Sequence, residues 1–413
     1  MGEKYLPFTC SGVGCGFRMI NVQLHLTSLL SYIERYDYAG YDPYDALNSP
    51  FLKLLGHKSK WIRIAVTQAL RRFPVNIRPI LGVRREHNPK AIGLFLWDYA
   101  KLYKVEKKTE YWAKVEYLLS LLDKLKGKGY SGNCWGYNSD WQSRTFYVPK
   151  FTPTIVNSSF IGHALLDTYK YTGMSNALDM AVPIRDFILN DLNRMKDGTT
   201  FCFSYTPLDH YAVHNANLLG ASLLIRLAYL TGDDTLRHPA LSALAYSMKH
   251  QREDGSWYYS EKKCSHWIDS FHTGFNLEAI RYFLQLNEGT EYGKAYRQGV
   301  KYYADNFFLN DGTPKYYHDR VYPIDIHAPA QAISFFSAEG PRYRELTDRI
   351  LNWTLKHMFD STGYFYFRKC RYFTNRVPYM RWGQAWMFHA LTEYLLYNLE
   401  VMTSAEFNAV AES

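Results

Sequence analysis

The sequence predicts an all-α fold: an (α/α)6 toroid of helical hairpins with short, hairpin-like aromatic strands between the repeats. Three observations predict it. Apolar helices recur every 55–58 residues, an amphipathic helix follows each of them, and a turn with an aromatic segment closes each unit.

The apolar helices come first. They read "NSSFIGHALLDTYKYTG" from Asn157, "HNANLLGASLLIRLAYLTG" from His214, "SFHTGFNLEAIRYFLQLNEG" from Ser270, "DIHAPAQAISFFSAEG" from Asp325 and "MRWGQAWMFHALTEYLL" from Met380. Asn157, Asn215, His272, His327 and Trp382 mark equivalent starts, spaced 58, 57, 55 and 55 residues apart. A fixed period of this kind signals a repeat architecture. "AIGLFLWDYAKLYK" from Ala91 is a sixth, weaker copy. These helices are apolar nearly all round, as buried helices are. Inner helices are therefore expected to start near residues 91, 157, 214, 271, 328 and 382.

The second helices, such as "TEYWAKVEYLLSLLDKL" and "YRELTDRILNWTLKHMF", place apolar residues at i, i+3 and i+4 and keep one charged face. That is the pattern of an outer helix. Each ends in a turn and an aromatic segment, among them "KDGTTFCFSY", "EDGSWYYS" and "NDGTPKYY", where Asp-Gly favours the turn. Helices near 22–36 and 59–72 supply the missing outer helix and a lid. The expected division is residues 1–85, N-terminal helices and lid loop, and 86–413, the catalytic toroid. All inner helices run the same way, so their N-termini gather at one mouth.

The chain of 413 residues is 47% hydrophobic, ample for a large core. Aromatics reach 17%, with 36 Tyr, 24 Phe and 10 Trp, which suits clefts that stack on flat rings. The net charge of +9 reads as spread along the chain, densest in "RREHNPK" and "KVEKKTEYWAK". No basic tail or helix reads as a nucleic-acid arm. The start lacks a signal-peptide pattern, and no apolar run is long enough to span a membrane. Six scattered cysteines (10, 15, 134, 202, 264, 370) fit reduced thiols in a cytoplasmic protein.

The stretch "DHYAVHNANLLG" (209–220) gathers His210, His214, Asn215 and Asn217 at a predicted inner-helix start. An N-cap explains one asparagine, but not two imidazoles, a phenol and two amides together. Removing a weakly acidic carbon-bound proton beside a carboxylate needs such groups: Asn, His or Arg to neutralise the carboxylate, and Tyr or His to take and return the proton. The residues proposed to do so are His214, Tyr211, Asn157, His272, Arg381 and Asp269. Substrate contacts are assigned to Trp135, Tyr137, Trp141, Arg144, Asn215, Asn217, Asp325, His327 and Gln384. Trp257 and Trp382 lean to the core, Trp135 and Trp141 to the cleft. The Tyr/Asp loop "YDYAGYDPYDALNSP" (36–50) is either a flap contributing Tyr44 or Asp45, or a solvated loop. On this reading His214→Ala lowers turnover by roughly 10²-fold or more.

Hairpin repeats of this length with "DGSWYY" segments resemble the six-hairpin glycosidase-like toroids over roughly residues 85–398. Glycoside hydrolases, polysaccharide lyases and the catalytic region of glucuronyl C5-epimerases share that fold. The segment "FTPTIVNSSFIGHALLDTY" (151–169), reading P-T-x-x-N-x-x-F, is similar to an epimerase segment, and "HYAVHNANLL" faintly resembles a second. The resemblance implies a carbohydrate-active enzyme working on a polysaccharide or oligosaccharide, and the residue types favour an anionic, uronate-containing one.

Other readings stay open. Hydrolysis needs two carboxylates about 5–5.5 Å or 6.5–9.5 Å apart, and Asp140, Asp209, Asp269 and Asp325 are available. "QREDGSW" (251–257) matches the Q-x-x-x-G-x-W repeat of terpenoid cyclase toroids, but occurs once and without their D-x-D-D motif. His266, Asp269 and His272 lie within seven residues, a spacing open to calcium or zinc, although neither a metal nor a cofactor is expected. A toroid that only binds glycans or proteins is the non-enzymatic alternative.

Overall fold

The computed structural model describes residues 13–56, 59–142 and 147–411. Helix α1 (Val13–Arg35) opens the chain, followed by the short α2 (Pro50–Gly56) and α3 (Lys60–Arg72). Five hairpins then follow: α4 (Pro89–Glu106) with α5 (Thr109–Lys124), α6 (Ile155–Thr172) with α7 (Ser175–Ala181) and α8 (Ile184–Asp186), α9 (His214–Thr231) with α10 (Arg237–Lys249), α11 (Ser270–Gln285) with α12 (Gly293–Asn306), and α13 (His327–Ala338) with α14 (Arg344–Met358). A π-helical turn, Met380–Ala385, leads into the last inner helix, α15 (Trp386–Ala411).

Helices α4, α6, α9, α11, α13 and α15 each pack on the next, and α15 packs back on α4, so the ring closes. Outside it, α1 packs on α15 and completes the sixth hairpin. The expected starts fall within a few residues of those observed. Residue 382 lies in the π turn, so the regular helix begins at Trp386.

Local sequence explains these boundaries. Asn88 accepts from Lys90 N at 3.1 Å with Pro89 at the first helical position. Thr154 accepts from Asn157 N at 3.0 Å, and Asp269 from His272 N at 3.1 Å. Each side chain thereby satisfies an otherwise orphaned N–H. Gly232 ends α9 at φ +72, a left-handed cap that glycine adopts without strain. A Cβ on Gly220 would stand 2.3 Å from Ile155 Cδ1, so its absence lets α6 and α9 approach.

The aromatic segments are less regular than expected. One forms a hairpin: β3 (Arg194–Asp197) pairs antiparallel with β4 (Thr200–Phe203) around Asp197-Gly198. Others make single bridges, such as Phe308 to Pro314 and Phe359 to Phe365. At the mouth, β1 (Trp141–Gln142) pairs with β2 (Tyr147–Val148), and β5 (Ile324–Asp325), β6 (Arg368–Lys369) and β7 (Thr374–Asn375) form a three-stranded sheet. Cys134, Cys202, Cys264 and Cys370 are free thiols. Among the described residues no helix is long and apolar enough to cross a membrane.

Candidate active site

The starts of the inner helices surround a cavity of about 990 Å³, at the upper end for ligand pockets. Asn215, His272, His327 and Trp382, the equivalent positions of four repeats, all line it. Tyr137, Trp141, Tyr211 and Arg381 line it too. The loop 36–50 contributes Asp42 and Tyr44. Asp45 does not reach it: wholly buried, it accepts from Arg78 Nε at 2.7 Å. Burial pushes its carboxyl up to about 6, against the opposing pull of Arg78.

Asp269 stands behind His272. Its Oδ2 lies 2.7 Å from His272 Nδ1 and 3.0 Å from the Trp267 indole N–H. An ionised carboxylate only accepts, so Nδ1 carries the proton and Nε2 is the nitrogen left to meet a ligand. Tyr259 packs on the ring, with centroids 4.6 Å apart. Burial holds the phenols of Tyr259 and Tyr137 above their ordinary pKa, keeping them protonated at neutral pH.

The lining is rich in basic side chains. Arg71, Arg72, Lys90, Lys262, Arg320, Arg368, Arg371 and Arg381 face one carboxylate, Asp42, among the described residues. Asp42 is itself committed to Arg381, through bonds of 2.5 and 2.9 Å. Lys90, which the sequence reading missed, is buried at the start of α4. Its Nζ lies 4.0 Å from the Phe160 ring centroid and 5.0 Å from that of Trp386. No carboxylate pairs with it among the described residues. Burial first, then the Arg381 charge, holds its amine well below the ordinary lysine range. Elsewhere in the lining, both ring nitrogens of the buried His327 lack a hydrogen-bond partner among the described residues, as does Asn215 Oδ1. Buried polar groups rarely go unpaired, and these surround the place where a polar ligand would sit.

Several expected residues serve the scaffold instead. His214 does not line the cavity: its ring turns to the outer layer, with Nδ1 3.3 Å from Ser247 Oγ and Nε2 2.7 Å from Glu261 Oε1. Burial lowers its pKa, against the opposing pull of Glu261. Asn217 accepts from Phe203 N at 2.9 Å and donates to Ala243 O and Ser247 Oγ. Gln384 clamps both backbone groups of Phe365. Asp325 lies beneath the wall, accepting from Arg368 Nε at 2.6 Å and from the Trp382 indole N–H at 2.7 Å. It orients two lining residues rather than facing a ligand. Trp135 is core, with its indole N–H on Leu122 O, whereas Trp382, expected in the core, reaches the cavity. Asn157, next in sequence to the lining residue Val156, is buried outside the lining, and its amide oxygen and nitrogen have no hydrogen-bond partner among the described residues. His210 is exposed. Arg144 lies outside the described residues.

The carboxylates of the hydrolytic reading are also engaged. Asp140 binds Lys150 N and Lys53 Nζ, and Asp209 caps Tyr205, Thr206 and Tyr211 N–H groups. In "QREDGSW", Gln251 bonds Gly255 O and Ala295 O while Trp257 bonds Ser247 O, a clamp between α10 and α12. Among the described residues, no three His, Cys, Asp or Glu side chains are grouped to hold a metal ion. His266 stacks on Tyr258 at 4.2 Å.

No protein-family model and no curated protein matches the sequence. Solved structures do match. A cellobiose 2-epimerase from Bacillus thermoamylovorans B4167 superposes with a TM-score of 0.61 at 15% identity, covering 76% of this chain and 90% of the other. A sugar epimerase from a ruminal bacterium gives 0.61 at 10% identity, covering 92% and 98%. A polysaccharide lyase gives 0.52 at 11% identity, covering 74% and 90%. The chain thus shares the six-hairpin toroid fold that its repeat implied.

Proposed function

We propose that the chain is a carbohydrate-active enzyme that acts on a uronate-containing glycan by taking the C5 proton, as a lyase or an epimerase. One observation carries this reading: among the described residues the cavity gathers eight basic side chains and a carboxylate-backed imidazole, while the one carboxylate in its lining is held by Arg381. The folds of the epimerases and the lyase described above are compatible with it.

The geometry supports the following division of labour. Lys90 and Arg381 meet the substrate carboxylate, where preorganised charge stabilises the enediolate formed as the proton leaves. His272 Nε2 takes the C5 proton, and Asp269 steadies the resulting imidazolium. A protonated phenol completes the reaction. Given to C5 from the opposite face, its proton yields the epimer; given to the departing O4 as the C4–O4 bond breaks, it yields a 4,5-unsaturated product. Tyr259 and Tyr137 are the phenols held protonated by burial, and Tyr211 is a third at the lining. Trp141 and Trp382 add aromatic surface to the lining that a sugar would meet.

Mass spectrometry of acidic glycans incubated with the chain separates the outcomes. Elimination creates an unsaturated uronate that absorbs in the ultraviolet, and epimerisation leaves the mass unchanged. Hydrolysis adds water and would overturn the reading.

A further inference from the structure

Residues 50–85 contain nine Lys and Arg and no Asp or Glu, so this segment alone equals the chain's net charge of +9 and the rest is balanced. The expectation of a charge spread along the chain is corrected by this window. The same segment holds eight of the twenty large apolar side chains exposed among the described residues. Scattered exposed apolar residues are ordinary, but a concentration marks an interaction surface.

The placement is orderly. Phe51, Leu54 and Leu55 stand at i, i+3 and i+4 on α2, one helix face, and are 64%, 71% and 52% exposed. Trp61, 68% exposed, opens α3 beside Lys60, and α2 packs on α3. Lys53 and Lys60 are exposed on the same hairpin, Lys53 also reaching Asp140 Oδ2 at 3.0 Å. The turn 370–373 adjoins this hairpin: Asn375 Nδ2 donates to Phe73 O at 3.0 Å, and the exposed Tyr372 sits at the tip next to Arg371. Helix α3 also lines the cavity through Ile64, Gln68 and Arg71.

Tryptophan, phenylalanine and leucine ringed by lysine and arginine are the chemistry of a helix lying in a membrane interface. Anionic headgroups complement the basic residues, and acyl chains take the apolar ones. A nucleic acid would satisfy the cations and leave Phe51, Leu54 and Leu55 in water. We infer that the α2–α3 hairpin docks the toroid on a bilayer surface rich in anionic lipid, with α3 linking that surface to the cavity.

The test is flotation of the full chain with vesicles of phosphatidylcholine alone or with about a third phosphatidylglycerol. The chain floats with the anionic vesicles, less so at high salt. The double variant Leu54→Asp/Trp61→Asp loses at least about tenfold in partitioning. Neither residue lines the cavity, so turnover on a soluble substrate is unchanged. If that variant melts early, Phe51→Ser/Leu55→Ser gives the same reading. Equal flotation of wild type and a folded variant overturns the inference. So does a wild type that ignores anionic vesicles, whether it self-associates on sedimentation, binds only polyanions, or gains flotation once residues 1–12 are removed.

Discussion

Asp269 Oδ2 lies 2.7 Å from His272 Nδ1, while the other oxygen of the same carboxylate caps the backbone of that histidine. One side chain thus starts helix α11 and fixes the tautomer of a cavity-lining imidazole. Asp269→Asn keeps the cap but no longer supports the imidazolium. Turnover is expected to fall by roughly 10²-fold or more, with thermal stability changed by less than about 1 kcal/mol. Kinetics beside a melting curve checks both. A variant as active as wild type would remove the carboxylate from the mechanism.

Lys90 gives a prediction with a definite sign. Its folded pKa is lowered, so the fold opposes protonation. That cost is present at low pH and disappears as pH rises through the folded pKa towards the unfolded value. Lys90→Met should therefore raise the melting temperature at neutral pH or below and flatten its dependence on pH.

A bound uronate would reverse the penalty, raising the Lys90 pKa and drawing in a proton. Titration calorimetry of a uronate in two buffers of different ionisation enthalpy should show proton uptake and weaker binding as pH rises. Lys90→Met should lose the uptake and roughly tenfold or more in affinity. Binding without proton exchange in the wild type would place the carboxylate elsewhere.

His214 is expected to act on stability. His214→Ala deletes bonds to Ser247 on α10 and to Glu261 in the loop that follows it. The loss should be about 1–3 kcal/mol, read from denaturant midpoints, with turnover within a few-fold of wild type. A 10²-fold loss with unchanged stability would restore the catalytic role first expected of it.

The toroid was legible because six buried helices repeat their apolar pattern and carry recognisable caps at Asn88, Thr154 and Asp269. The site was half legible in the same register. Four of the five aligned positions, Asn215, His272, His327 and Trp382, line the cavity, whereas Asn157 is buried outside its lining. His214 stands one residue earlier, about 100° around the helix, which turns its ring away from the ligand. Composition drew attention to the cluster, whereas the period held the direction.

Lys90 escaped notice because a lysine at a helix start reads as solvated, and only the packing of Phe160, Phe275 and Trp386 buries it. Trp135 and Trp382 exchanged places for the same reason, since an indole fits core or cleft equally well. The basic, apolar segment 50–85 is legible in the sequence only on a window wider than a short charge run such as "RREHNPK".

The central claim is proton abstraction at C5 by His272. Its most direct test is incubation of uronate-containing glycans in deuterated water, followed by NMR and mass spectrometry. The account predicts deuterium at C5 of an epimerised uronate, or a 4,5-unsaturated residue, formed by the wild type and lost by roughly 10²-fold or more in His272→Ala. Glycan that turns over with C5 still protonated, or an equally active His272→Ala, would contradict it.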